Sequence, residues 1–236
     1  MYKLFALSLA LLVSYQGLAM THDEQRIEVK QTRALSYLIA LPEGYDKEGD
    51  AVPLLLFLHG AGERGDDLDK VKAHGPPNMI EKGHDFGAIV VSPQCPAESW
   101  WPREVDMLIA LLDKLEREHN IDKDRIYVTG LSMGGYGTFA LCARQPGRFA
   151  AAVPICGGGG YFEARQLAKL PMWVFHGEAD RVVPVEESHR MVKYMNEHNG
   201  EHAQLTTYPG VGHNSWDPAY SDEAMWNWLF EQKRDE

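Results

Sequence analysis

Apolar and polar positions along the chain fall into two patterns. Continuous apolar runs occupy residues 53–58, 88–92, 125–129, 150–156 and 172–176, each closed by glycine, proline or polar residues. Runs this short and this unbroken predict strands buried on both faces of a sheet. Residues 103–119 instead place leucine, isoleucine and methionine at helical spacing with charged residues between them, which predicts an amphipathic helix. Further helices are predicted near 78–82, after Met133 up to the stop at Gln145-Pro146-Gly147, over 186–199 and over 221–233. Residues 25–30 and 34–41 read as edge strands, 204–208 as a last strand and 157–160 as a flexible glycine loop. Buried strands alternating with helices predict an α/β fold with a mostly parallel central sheet and helices on both faces. In such a sheet, sites form at the carboxyl ends of the strands.

The first residues break this alternation. Met1-Tyr2-Lys3, the apolar run 4–13 and the small residues Gly17 and Ala19 have the three-part layout of a secretory signal peptide, with cleavage expected after Ala19. The run is about half of the ~20 apolar residues a membrane-spanning helix needs, so no membrane anchor is expected. The expected organisation is therefore a signal peptide over 1–19 and one catalytic domain over 20–236, in a secreted or periplasmic protein. Export permits disulfides, but Cys95, Cys142 and Cys156 allow one bridge at most, and Cys142 and Cys156 read as buried thiols. A net charge of −11 repels phosphate backbones and anionic lipid, which argues against nucleic acid and membrane surfaces as partners. Acidic and histidine residues do not recur at ligand spacing on one element, so neither metal nor other cofactor is implied.

Chemistry enters at Gly130-Leu131-Ser132-Met133-Gly134, which joins the run 125–129 to the small-residue stretch 134–141. A serine on a strand-to-helix turn between two glycines is held out at the sheet edge, beside helical N–H groups that favour negative charge. A serine hydroxyl needs a base to take its proton, and the base needs a carboxylate to orient it. Asp180 follows the run ending at His176, and His213 follows the run ending at Tyr208, so all three fall at one rim in the order Ser, Asp, His. Glu178 sits in the same loop as Asp180 and is the rival acid. His59 and His176, at strand ends, read as partners of neighbouring loops. Glu63, Arg64, Asp66 and Asp67 read as solvated charges, with a role in holding the adjacent loop as the second possibility.

These segments, with Leu58-His59-Gly60-Ala61-Gly62, Phe175-His176-Gly177-Glu178-Ala179-Asp180 and Gly210-Val211-Gly212-His213, resemble the α/β-hydrolase superfamily along nearly all of the chain after residue 19. HGAGERGDD at 59–67, SPQCPAESWW at 92–101 and GHNSW at 212–216 make it similar to secreted esterases grouped with feruloyl esterases, poly(3-hydroxybutyrate) depolymerases and predicted peptidases. The resemblance implies the α/β-hydrolase fold and a serine esterase with a Ser132, His213, Asp180 triad. It also implies an oxyanion hole on the backbone N–H groups of Ala61 and Met133, with Gly62 as the neighbour of Ala61. The expected substrate is a small-molecule or polysaccharide-linked carboxylic ester, including feruloyl-type esters. A serine peptidase and a non-catalytic binding protein on the same fold are the alternatives. Trp100, Trp101, Trp216, Tyr136 and Tyr161 fall near predicted rim loops, and Trp101 and Trp216 are the candidate substrate-binding residues, able to stack on a sugar or phenolic ring. Trp226 and Trp228 on the last helix read as core.

Overall fold

Five apolar residues in a row, Leu54 to Leu58, are fully buried, and their alternate side chains enter two different cores. Leu54, Leu56 and Leu58 pack with Leu108, Leu112 and Phe139 on one face of the sheet, whereas Leu55 and Phe57 pack with Tyr127, Met225 and Leu229 on the other. This double burial is what removed the polar alternation from the sequence. The computed structural model describes residues 32–199 and 202–234. The signal-peptide and 25–30 strand expectations lie outside the described residues. Arg33 to Glu236 form one compact unit by their contacts.

The strands are β1 (Tyr37–Ala40), β2 (Val52–Leu58), β3 (Ile89–Pro93), β4 (Ile121–Leu131), β5 (Ala151–Ile155), β6 (Met172–Gly177) and β7 (Ala203–Tyr208). They form one sheet in the order β1-β3-β2-β4-β5-β6-β7, parallel except for the antiparallel edge pair β1–β3. The helices are α1 (Gly75–Glu81), α2 (Val105–Glu118), α3 (Met133–Arg144), α4 (Tyr161–Gln166), α5 (Glu186–Asn199), α6 (Trp216–Tyr220) and α7 (Glu223–Glu231). On α2, Leu108, Leu111, Leu112 and Leu115 make the buried stripe that the spacing predicted. Among the described residues, no helix is long and apolar enough to cross a membrane.

Two short helices were not predicted. α4 falls within a stretch with no clear period, and α6 holds Pro218 and only five residues, too few for periodicity to show. The predicted helix over 221–233 is α7 alone, with Asp222 capping it through the Ala224 N–H, and α6 ends just before it. The glycine loop after β5 is packed where it leaves the strand: Gly157 lies so close to the Gly135 backbone that a Cβ would come within 2.5 Å of it. All three cysteines are buried and free, so the one disulfide the sequence permitted does not form.

Candidate active site

β4, the strand at the middle of the sheet, ends at Leu131, and Ser132 makes the turn into α3 at φ 53° and ψ −115°. Positive φ is rare for a side-chain-bearing residue and persists only where the surroundings fix it. Here they do: the Ser132 N–H donates to the Ile155 carbonyl at 2.9 Å, and the Ser132 carbonyl accepts the Tyr136 N–H at 3.1 Å. The flanking glycines are required by close approach. A Cβ on Gly134 would stand 1.8 Å from the Leu58 carbonyl oxygen, and one on Gly130 would stand 2.5 Å from that of Gly134. The G-x-S-x-G spacing is thus the sequence form of a helix driven hard against two strands.

The acid and the base arrive on loops after β6 and β7. These loops are tied together by the Glu178 N–H on the Tyr208 carbonyl (3.1 Å) and the Ala179 N–H on the Val211 carbonyl (2.9 Å). The result brings His213 Nε2 to 2.9 Å from Ser132 Oγ and His213 Nδ1 to 2.7 Å from Asp180 Oδ2. Carboxylates only accept, so Nδ1 carries the proton and Nε2 is left as acceptor for the serine hydroxyl. Asp180 Oδ1 accepts two backbone N–H groups, Val182 at 2.8 Å and Val183 at 3.0 Å. Burial raises the Asp180 carboxyl, but the hydrogen bonds from His213, Val183 and Val182 outweigh it and hold the group below its ordinary range. The rival acid Glu178 accepts instead from Thr207 Oγ1 at 2.7 Å, on an exposed edge.

Ala61 and Met133 occupy equivalent places on neighbouring strands. β2 pairs with β4 through Leu58 and Gly130, and each residue lies three positions further on. Met133 is the first residue of α3, so its N–H has no intrahelical acceptor. Ala61 opens a 3-10 turn over Ala61–Glu63. That turn is fastened from several sides. Arg64 donates from Nε to the Ala61 carbonyl (3.0 Å) and from a terminal nitrogen to the Ser99 carbonyl (3.1 Å). Gln94 Nε2 donates to the carbonyls of Glu63 (2.8 Å) and Asp67 (2.7 Å). Arg64 is therefore a loop fastener, the second of the two readings of that charge cluster, and not a solvated charge.

The two candidate tryptophans separate. Trp101 is fully buried, its Nε1 donates to the His59 carbonyl at 2.9 Å, and its ring packs edge-on to His59. A side chain with no exposed surface cannot stack on a substrate, so the substrate-binding expectation for Trp101 is corrected: it is a core residue beneath the rim. Trp216 is half-buried, with its ring edge-on to His213 at 5.4 Å between centroids and 5.4 Å from His74. It lines a cavity of about 520 Å³ with His74, Asn78, Lys82, Asp217 and Glu223. Trp100 is exposed and lies against Tyr136 across the rim, and Tyr161 is exposed at the start of α4. Trp226 is buried as expected, and Trp228 is half-buried against the same core.

Sequence reasoning missed one neighbour of the triad, Cys156, and the contact that another, His176, makes with Asp180. His176 lies with Nε2 3.3 Å from Asp180 Oδ2, the same oxygen that His213 Nδ1 approaches. Cys156, at φ 40°, places its sulfur with the Asp180 carboxylate and a His213 ring nitrogen in a group whose ligand atoms all lie within 4.8 Å. Burial pushes that thiol up to about 12, so it stays protonated beside a carboxylate and imidazole already joined by a hydrogen bond. His176 stands in the segment 175–180 and reads in the sequence as the partner of a neighbouring loop, as its contact with the Val183 carbonyl bears out, whereas no motif marks Cys156.

The parallel sheet, the serine elbow and the Ser–His–Asp constellation at its carboxyl rim define a protein of the α/β-hydrolase class. The Dienelactone hydrolase family model matches residues 77–225, and the chain belongs to that family. It is 28% identical over 147 residues to the Bifunctional acetylxylan esterase/xylanase XynS20E of Neocallimastix patriciarum, covering 60% of this chain and 21% of that one. It is 25% identical over 181 residues to Probable feruloyl esterase C of Aspergillus terreus, covering 73% of this chain and 64% of that one. Among solved structures, a thermostable esterase superposes with a TM-score of 0.74 at 37% identity, over 85% of this chain and 60% of that one. The chain thus spans less than two thirds of the length of each of these three relatives.

Proposed function

We propose that this chain is a secreted carboxylic-ester hydrolase that works through an acyl-enzyme on Ser132. The observation that carries the reading is the unbroken line Ser132 Oγ, His213 Nε2, His213 Nδ1, Asp180 Oδ2, with both links at 2.9 and 2.7 Å. In the first half-reaction His213 Nε2 takes the Ser132 proton as Oγ attacks the ester carbonyl. The N–H groups of Met133 and Ala61 receive the oxyanion, and Asp180 stabilises the imidazolium. Collapse expels the alcohol, which takes the proton from Nε2. Water then repeats the cycle on the acyl-enzyme and releases the acid. Export under residues 1–19 and a catalytic domain over 20–236 complete this reading.

The proposed substrates are carbohydrate-linked or feruloyl-type esters. Support comes from Trp216, which offers an aromatic face beside the base that protonates the leaving alcohol, and from the polar cavity it lines. The esterase names of the relatives point the same way. A panel of p-nitrophenyl acyl esters of rising chain length, feruloyl sugar esters, acetylated xylan and a peptide amide tests the reading. Ester turnover, with at least one carbohydrate-linked ester ahead of the peptide, is expected. A peptide amide cleaved faster than every ester would replace this function with a serine peptidase.

A further inference from the structure

Asp180 is flanked by two histidines, and only His213 reaches the cleft. His176 is the penultimate residue of β6 and is fully buried. Its Nε2 lies 2.9 Å from the Val183 carbonyl and 3.3 Å from Asp180 Oδ2, and its Nδ1 lies 2.7 Å from Ser188 Oγ on α5. A carbonyl and a carboxylate only accept, so Nε2 must carry the hydrogen, aimed at the Val183 oxygen with Asp180 as the longer second acceptor. Nδ1 is then the acceptor, and the Ser188 hydroxyl donates to it. Val183 is held at both ends, since its N–H donates to Asp180 Oδ1 while its carbonyl takes the His176 hydrogen.

We propose that His176 is a positioning residue of the triad: its Nε2–H pins the Asp180–Val183 turn and takes a share of the Asp180 charge that His213 draws on, with Ser188 orienting the ring from the other side. Burial lowers the His176 pKa, which keeps the ring in the neutral form that this arrangement requires. The other titratable groups acting on Asp180 are Cys156 and Tyr136, both raised by burial and both uncharged. Ser132 and Trp216, which face His213, are uncharged as well. His176 is thus a donor that tempers the charge on the same Asp180 oxygen that His213 uses. The run His176-Gly177-x-x-Asp180-x-x-Val183 is then one device, in which a strand-end histidine, a tight turn and the triad acid are set by a single spacing.

The inference rests on the catalytic reading of Asp180 and His213, and its test separates the two. His176→Phe keeps a ring and removes the N–H. Less tempered, the Asp180 charge holds a proton on His213 more firmly, so the acid limb of kcat/KM should move to higher pH by about half a unit. On a short p-nitrophenyl ester kcat should fall about tenfold with KM unchanged. His176→Gln, whose amide N–H falls near the position of Nε2, should recover most of both. If the phenylalanine variant does not fold, Ser188→Ala, which removes the bond that orients the ring, should move the limb in the same direction by less. The downfield Nδ1 proton resonance of His213 in the resting protein should shift in these variants, with no substrate needed. A limb and a resonance at their wild-type positions, with only the melting temperature lowered, would overturn the positioning role. Wild-type protein inert on every ester would instead overturn the proposed function, leaving the resonance to judge His176.

Discussion

On one side of Ser132 the loop 59–67 is locked in place: His59 accepts the Cys95 N–H at 3.0 Å, Trp101 donates to the His59 carbonyl, and Arg64 and Gln94 hold the turn that follows. On the other side Asp180 and His213 form the hydrogen-bonded line to Ser132 along which the proposed mechanism moves a proton, and its aromatic neighbour, Trp216, remains half-buried. The first wall spends its polar groups on backbone carbonyls and N–H groups, so in the proposed mechanism its work is to keep the oxyanion donors still. The second spends them on side chains, which in the proposed mechanism exchange a proton. An oxyanion site gains from donors that need not reorganise, whereas a base must be able to change charge. Changes to the first wall should therefore register mainly as stability, and changes to the second mainly as rate or specificity.

The largest effect is expected at the acid. Asp180→Asn reverses the tautomer of His213 and should lower kcat on the order of 10⁴-fold, while Glu178→Gln, which loses only a bond to Thr207, should leave kcat near wild type. Steady-state kinetics decides, and reversed effects would transfer the role to Glu178. On the opposite wall, Trp101→Ala should cost about 3 to 5 kcal/mol of unfolding free energy, read from the shift of a urea midpoint, because it empties a fully buried site. A loss confined to large substrates, with stability unchanged, would return Trp101 to the cleft.

The pH dependence of stability should carry the next effect. Burial lowers the His59 pKa to about 4, and the His176 pKa moves in the same direction for the same reason. The unfolded chain binds these protons first, so the stability from neutral burial is present above the unfolded value of about 6.5 and lost as pH falls towards 4. For His59 that loss should reach about 3 kcal/mol. Urea unfolding at pH 7.5, 6 and 4.5 measures it, and a flat profile across that range would contradict neutral burial. The smallest effect is expected at Trp216: alanine there should cost about 1 to 3 kcal/mol in kcat/KM on feruloyl or sugar esters and much less on a short p-nitrophenyl ester. Equal losses on both would make it a support for His213 and not a subsite wall.

The strands, α2 and the serine elbow were legible in the sequence because each is fixed by local pattern or by a contact that forbids a side chain, as at Gly134. The proximity of Ser132, Asp180 and His213 was legible because a parallel sheet sends every strand end to one rim. The difference between Trp101 and Trp216 was not. Both sit beside polar residues in irregular stretches, and what separates them is the His59 carbonyl, 42 residues away in the chain, that accepts the Trp101 N–H. Likewise the His176 contact with Asp180 depends on the turn at 180–183 folding back over the strand end. The fastening role of Arg64 depends on two carbonyls, one of them on the loop after β3.

The central claim is that Ser132 is the nucleophile of an ester hydrolase, and one paired measurement tests it most directly. Purified wild-type protein and Ser132→Ala are each treated with an alkyl fluorophosphonate, mapped by peptide mass spectrometry, and assayed on the most rapidly hydrolysed ester of the panel. The account predicts stoichiometric labelling of Ser132 with parallel loss of turnover in the wild type. In the folded alanine variant it predicts no labelling and roughly 10³-fold or greater loss of kcat. Labelling at another residue, or near-normal turnover in Ser132→Ala, would contradict it.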